Sequence, residues 1–232
     1  MKHKIIKNGF IVAVLFLSSI SLKAQIKYGA QIHGQLNTAS FTAETSPLPD
    51  KDWKFGYGGG FFVEIPISSA FSLKPSLNYL QKGVKTTEKR PGGEGGGTFT
   101  QKTRINLDYI EVPILAIYNL DNNQSKWYVG VGPSFGYGIS GNAEVFDTMQ
   151  VGPQTNTEFF KVKTFKDVED GGMGFKRFDF GLNAIVGIHF LEKGMVQLGY
   201  IHGLSNIANK DDFEGNKYNN RSILLSLGYQ FK

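Results

Sequence analysis

Hydrophobic and polar residues alternate along most of the chain with a period of two, the spacing of side chains that share one face of a β-strand. The alternation is sharpest between residues 127 and 139, where apolar residues occupy the odd positions and mostly Gly or Ser the even ones. The pattern predicts eight strands: Ile26–Asn37, Lys54–Ile65, Phe71–Leu80, Tyr109–Tyr118, Trp127–Ile139, Phe178–Phe190, Val196–Gly203 and Ile223–Phe231.

Two folds produce such alternation, a soluble β-sandwich and a transmembrane β-barrel. Sandwich strands usually have about 5–6 residues, whereas most of these segments reach the roughly 9–11 residues that a tilted membrane strand requires. The second face of each strand carries mostly Gly, Ser, Asn and Gln, which suit the interior of a narrow barrel. We therefore predict an all-β fold, an eight-stranded antiparallel up-and-down transmembrane β-barrel.

Short and long connections alternate along the chain, as in outer-membrane barrels with short periplasmic turns and long extracellular loops. An even number of strands then puts both termini at the short-turn end. The short connections are Pro66–Ala70, Asn119–Ser125 and Leu191–Gly194, and the long ones are Thr38–Trp53, Thr86–Thr103, Gly141–Lys176 and Asn206–Asn220.

The N-terminal segment has the three parts of a secretory signal peptide. Basic residues come first, an apolar run follows from Phe10 to Ile20, and the small residue Ala24 precedes Gln25. We predict a signal peptide over residues 1–24, cleavage between Ala24 and Gln25, and a barrel domain over residues 25–232. The alternative is a membrane anchor, but the apolar run is far shorter than the roughly 20 residues of a spanning helix.

Export together with a barrel pattern predicts a location in the cell outer membrane of a Gram-negative bacterium. The expected partners are outer-membrane lipid and, during insertion, the barrel assembly machinery. The C-terminal Tyr229, Gln230 and Phe231 resemble the aromatic signal that this machinery recognises, although Lys232 follows them.

Composition and charge exclude several functions. The chain has no Cys, so disulfides, thiolate metal sites and cysteine nucleophiles are excluded. Four of the five net positive charges come from the lysines of the signal segment, so the charge does not indicate nucleic acid. We predict no cofactor and no metal ion; a weak calcium site among the oxygen ligands of Asn209–Asn216 stays an open alternative.

Four charged residues occupy inward positions of the predicted strands: Glu64, Lys74, Glu111 and Asp179. In a narrow lumen such charges must pair, because an isolated buried ion is very costly. We expect Glu64 to lie diagonal to Lys74 and Glu111 to approach the same lysine, forming a structural polar cluster. A proton or ion relay is the alternative.

Several segments resemble the PorT-type outer-membrane β-barrel family. The resemblance covers the whole mature chain and implies a porin-like barrel without a catalytic assignment, in a family with one member type implicated in protein secretion. It rests on Leu107–Leu115, Tyr128–Pro133, Phe178–Leu182 and Tyr200–Ile207.

The function predicted from these features is structural or interactive. We expect no enzyme activity and no open pore, because eight strands leave an interior just wide enough to be filled by side chains. An enzyme acting on lipid, using His202, Ser205 and Asp179 at the rim or the deeper Ser134, and a narrow solute channel are the alternatives.

The longest connection, Gly141–Lys176, is the expected contact for an extracellular or secretion-system protein partner. Two alternating stretches flank the turn signal Gly152-Pro153, which predicts a hairpin above the membrane that could bind a partner by strand addition. A solvated loop that shields the barrel mouth is the alternative. The side chains expected on the hairpin surface are Phe146, Phe160, Lys161, Lys163 and Phe165.

The signal peptide and the barrel pattern make a first prediction. The protein isolated from outer-membrane fractions should begin at Gln25 and should migrate differently on gels before and after boiling, because a closed barrel resists unfolding by detergent. Mass spectrometry of the intact protein gives the terminus. Recovery from the soluble periplasm with unchanged mobility would contradict the barrel.

Overall fold

The structure is a computed structural model, and it describes residues 26–42, 49–92, 96–120, 126–209 and 217–231. The signal peptide, with Ala24 and Gln25, lies outside these residues. So do residues 210–216, which include most of the loop considered for calcium. Within the described residues no helix is long and apolar enough to cross a membrane.

Ten strands make up the described chain, and eight of them form a closed antiparallel ring in the order β1-β3-β4-β5-β6-β8-β9-β10, with β10 pairing back to β1. The eight-stranded barrel is therefore confirmed. The strands are β1 Lys27–Thr42, β2 Asp50–Asp52, β3 Lys54–Pro66, β4 Phe71–Pro91, β5 Thr98–Asn119, β6 Trp127–Val151, β7 Gln154–Lys163, β8 Phe178–Phe190, β9 Gly194–Gly203 and β10 Lys217–Gln230.

Closure of the ring follows from the requirements of a membrane. No water is available in the bilayer core, so each backbone N–H and C=O must find a partner within the protein, and a ring of strands provides one on both sides. The start of the first ring strand and the end of the last one both lie at the short-turn end, where the Phe231 amide donates to the Tyr28 carbonyl at 2.8 Å. The predicted position of the termini is confirmed.

The two faces of the barrel wall have the predicted compositions. Large apolar side chains cover the outside, for example Phe55 and Phe61, each 66% exposed. Aromatic pairs flank this belt, with Phe71 and Tyr118 at the short-turn end separated by 4.9 Å between ring centroids. The inward face holds buried Gln, Asn, Ser and charged side chains.

Three ring strands continue well past the ring at its long-loop end. β3 pairs with β4 only as far as Leu80, and β8 pairs with β6 only as far as Tyr137. Beyond these positions β4, β5, β6 and β7 extend the same sheet past the ring, and this extension is here called the arm, with β2 paired to its β4 edge. The arm comprises Lys85–Pro91, Thr98–Arg104, Asn142–Val151 and Gln154–Lys163.

The arm corrects the prediction that residues 86–103 form an open polar loop. Most of that segment is the paired end of β4 and the start of β5, in register from Thr86 with Thr103 to Pro91 with Thr98. The strands were missed because Thr, Lys, Gln and Glu replace apolar residues where both faces of a strand meet water. The hairpin predicted in the next long connection is confirmed, since β6 and β7 pair around Gly152 and Pro153.

A β-bulge marks the base of the arm. Tyr109 pairs with Gly138 and Asp108 pairs with Ser140, so Ile139 is an extra residue on β6. Because side chains alternate strictly along a strand, one inserted residue exchanges the two faces beyond it. Even positions of β6 face the lumen below the bulge, and the odd positions Ala143 and Val145 are buried above it.

Candidate functional site

The centre of the lumen holds a triad of charged side chains from three strands. The Lys82 ammonium on β4 lies 2.5 Å from Glu111 Oε2 on β5 and 3.2 Å from Asp179 Oδ2 on β8. The three side chains are at most 3% exposed. One lysine thus bridges two carboxylates across the lumen.

Neighbouring polar groups complete the triad. Ser134 Oγ donates to Glu111 Oε1 at 2.6 Å, and Asn220 Nδ2 donates to Asp179 Oδ2 at 2.9 Å. The Lys82 ammonium also lies 5.0 Å from the centre of the Tyr109 ring, within the range of a cation–π contact. Hydrogen bonds and a π-face therefore replace much of the hydration that these ions lose.

The structure places Lys74 differently from the expected cluster. Its ammonium donates to Gln197 Oε1 at 3.2 Å and lies 4.5 Å from the centre of the Phe62 ring, while Glu64 accepts from Ser72 Oγ at 2.7 Å. Among the described residues, no carboxylate forms an ion pair with Lys74.

The expected pairing of Glu111 with Lys74 was wrong because of where the register places the carboxylate. Glu111 lies opposite Asn78, four residues from both Lys74 and Lys82 along β4. The second carboxylate, Asp179, lies beside Lys82 and so favours Lys82 over Lys74 as the cation that pairs with Glu111. Sequence reasoning missed Lys82 because the predicted strand ended at Leu80, although its inward alternation continues to position 82.

Uncharged polar side chains fill the lumen beside the triad. Gln31 Nε2 donates to Asn78 Oδ1 at 2.9 Å, and the His33 Nδ1 atom is hydrogen-bonded to Ser226 Oγ at 2.7 Å. A cavity between these side chains has a volume of about 20 Å³, which accommodates about one water molecule. This part of the lumen has no room for a continuous water column.

An apolar cap covers the polar layer at the long-loop end. It combines strand residues with residues of the connections 164–177 and 204–208, which fold over the barrel mouth. Backbone hydrogen bonds hold the two connections together, with the Lys176 amide donating to the Ile207 carbonyl at 2.8 Å. The buried residues of the cap are Ala39, Val84, Ile105, Leu107, Tyr109, Ala143, Phe175, Ile207, Ala208 and Tyr218.

The cap corrects the expected position of Phe165. Its ring packs against Tyr109 at 5.8 Å between centroids in an edge-to-face arrangement, and it lies over Gly138. A Cβ atom at position 138 would overlap this ring, so any residue other than glycine there would force the ring to move. Phe165 therefore packs against the cap and does not lie on the hairpin surface.

The other residues expected on the hairpin surface lie on two faces of the arm. Phe146 stacks on Phe159 at 4.9 Å between ring centroids, on the face that also carries Lys161 and Lys163. Phe160 is opposite Val145 and lies on the other face. These residues are therefore not one continuous surface.

The residues considered for an active site are not assembled. His202 lies 3.4 Å from Tyr200 on the outer face, whereas Asp179 is inside the lumen. Ser205 Oγ is bonded to the Phe180 backbone, and Ser134 Oγ is bonded to Glu111. The barrel wall thus separates the histidine from the acid, and among the described residues no histidine is hydrogen-bonded to either serine as in a Ser–His nucleophilic site.

The family of the chain is shown by its sequence. Residues 18–209 match the family model described as outer membrane protein beta-barrel domain. The chain belongs to this family. Membership agrees with the closed ring and assigns this outer-membrane barrel to the cell outer membrane; no curated protein sequence matches the chain.

Several solved structures are similar to the chain at low sequence identity. The chain is 10% identical to Ail, the attachment invasion locus protein of Yersinia pestis, with 89% of this chain and 99% of that chain covered and a TM-score of 0.38. Neisserial surface protein A is 16% identical over 88% and 95%, with a TM-score of 0.36. OprG from Pseudomonas aeruginosa is 12% identical over 89% and 94%, with a TM-score of 0.37.

The triad predicts which lysine the barrel requires. Lys82→Met should destabilise the barrel by about 3–5 kcal/mol, because it leaves two buried carboxylates without their cation. Lys74→Met is the matched control. It should lower the free energy of unfolding by no more than about 1.5 kcal/mol, because the Lys74 ammonium donates only to neutral groups. Reversible urea unfolding in lipid vesicles measures both, and a larger loss for Lys74→Met would contradict this assignment.

Proposed function

We propose that this outer-membrane barrel is a non-enzymatic interaction protein with a closed lumen, which binds a protein partner through its arm. The observation that carries the proposal is the contrast between the two ends of β5 and β6. Within the ring their inward side chains fill the lumen, and beyond it the same strands support β7, a strand with a free edge.

The closed lumen favours this function over a solute channel. The triad of Lys82, Glu111 and Asp179 occupies the centre, and the apolar cap covers the layer above it. A permeating ion would have to displace the paired charges of the triad and then cross an apolar layer, where an unpaired ion is very costly. The separated His202, Asp179 and Ser205 likewise give no support to the alternative of a lipid-directed enzyme.

The edge of the arm offers a mode of partner binding. Nine of the ten residues of β7 are exposed, and along its free edge the described chain makes a single isolated bridge, from Lys163 to Gly172. An extended segment of a partner protein could pair with this edge, where main-chain bonds give affinity and side chains give selectivity. Phe146 and Phe160, with Lys161 and Lys163 at the base, would supply the side-chain contacts.

The proposal includes PorT-type membership and a protein partner outside the cell or in a secretion system. The segments that resemble this family build the lumen: Leu107–Leu115 contributes Tyr109 and Glu111, and Phe178–Leu182 contributes Asp179. The resemblance therefore supports a shared closed interior, while the partner would be selected by the arm.

The closed lumen predicts an electrically silent protein. Purified barrel inserted in planar bilayers should show no sustained conductance steps, because the triad and the cap leave no continuous water path. A porin of known conductance, inserted under the same conditions, verifies that the assay detects open channels. Stable channels from the pure barrel would exclude the closed-lumen proposal.

The arm predicts a deletion that separates binding from folding. Replacing Phe146–Phe159 with an Asn-Gly turn joins Val145 to Phe160, which already pair, and leaves Ala143, Phe165 and the cap in place. The shortened protein should stay heat-modifiable and should lose capture of its partner from intact outer membranes. Replacing Phe160 alone with Ser is the milder comparison. If the shortened protein still captures the partner, the arm is not the binding site and the short turns are the next candidates.

A further inference from the structure

A basic cleft lies on the outer side of the barrel wall where the arm begins. It has a volume of about 640 Å³ and is formed by β6, the end of β7 and the connection to β8. Four of its lining residues are cationic: Lys161, Lys163, Lys166 and Arg177. No carboxylate is present among the described residues that line it.

Most of this positive charge is not neutralised by the protein. Lys161 lies 3.7 Å from Glu144, which Arg104 approaches at 3.6 Å from its other side. Within the described part of the chain, Lys163, Lys166 and Arg177 form no ion pair, although the adjoining turn carries acidic residues at 167, 169 and 170. Three cations thus face one cleft without a counter-ion.

Arg177 is held in position before any ligand binds. One guanidinium nitrogen donates to the Gly138 carbonyl at 2.8 Å, and the other lies 3.4 Å from the Phe165 carbonyl. The guanidinium also lies 5.3 Å from the centre of the Phe165 ring. Because two carbonyls and a ring fix the group, it can bind an anion with its remaining N–H donors at a small entropy cost.

The cleft lies directly above the lipid-facing belt. Arg177 immediately precedes Phe178, which is 58% exposed on the outside, and Ile139 of the cleft floor is 47% exposed. Tyr137, at 55% exposed, continues the belt downwards. An anion held in the cleft would therefore sit at the depth of a headgroup whose acyl chains lie against this belt.

We infer that the cleft binds the phosphorylated headgroup of an anionic lipid in the leaflet at the long-loop end. Basic pockets at membrane interfaces recognise lipid phosphates through charge, and arginine adds paired hydrogen bonds to phosphate oxygens. The volume of the cleft, about 640 Å³, lies in the range of pockets that bind ligands of drug size. This inference goes beyond the proposed function, since it concerns lipid at the base of the arm and not a protein on its edge.

The test uses the full-length mature barrel in zwitterionic detergent and native mass spectrometry to count bound diphosphoryl lipid A. Wild type should retain this lipid, and the triple variant Lys163→Gln, Lys166→Gln, Arg177→Gln should bind it at least about tenfold more weakly. A control variant that also removes three charges, Lys89→Gln, Lys102→Gln, Lys126→Gln, should bind like wild type. Both variants should stay heat-modifiable, since the changed residues lie outside the triad and the cap.

Two further binding measurements identify the source of the anion. Dephosphorylated lipid A should bind wild type as weakly as the phosphorylated lipid binds the triple variant, because the cleft recognises phosphate. Millimolar inorganic phosphate should compete poorly, because it cannot use the apolar belt. Equal binding by the triple and control variants, retention of dephosphorylated lipid, or full competition by free phosphate would each overturn the inference. Partner capture is measured separately, so its loss or survival does not affect this result.

Discussion

An eight-stranded ring is narrow, and every second side chain of each strand points into it. Water cannot fill such an interior, so the inward side chains must satisfy one another. Lys82 meets this constraint by bridging Glu111 and Asp179 from two other strands. The three charges therefore link the neighbouring strands β4 and β5 to the distant strand β8, and a shift in register of any of these three strands would leave at least one ion unpaired in the lumen.

The apolar cap extends this constraint to the loops. Tyr109 belongs to both layers, with its ring facing the Lys82 ammonium and also packed against Phe165. The connections that contribute Phe175 and Ile207 shield the charges below from water, which strengthens the ion pairs by lowering the local dielectric. The loops at this end thus have a structural role in the barrel as well as any role in binding.

The ring could be predicted from the sequence because membrane strands must alternate between lipid-facing and lumen-facing residues. Where the lipid ends, this requirement ends too, so Thr98–Thr103 carries little apolar alternation and was expected to belong to a loop. The lumen cluster was predicted in position but not in pairing. Asn78, which lies opposite Glu111, is four residues from both Lys74 and Lys82, and only Asp179 on another strand favours Lys82. Phe165 could not be placed, because its burial depends on Gly138 and on how a connection folds over the mouth.

The bulge at Ile139 lets one strand serve both regions. Below it, even positions such as Ser134 and Gly138 face the lumen; above it, Ala143 takes the inward place and packs into the cap. If the same residues, Ile139 included, formed a regular strand without the bulge, Asn142 and Glu144 would point into the apolar cap and Ala143 would face outward. The same exchange of faces sets the orientation of β7, because Lys161 pairs with Glu144 and Lys163 with Asn142. One inserted residue therefore directs apolar side chains to the cap and lysines to the outer surface at the base of the arm.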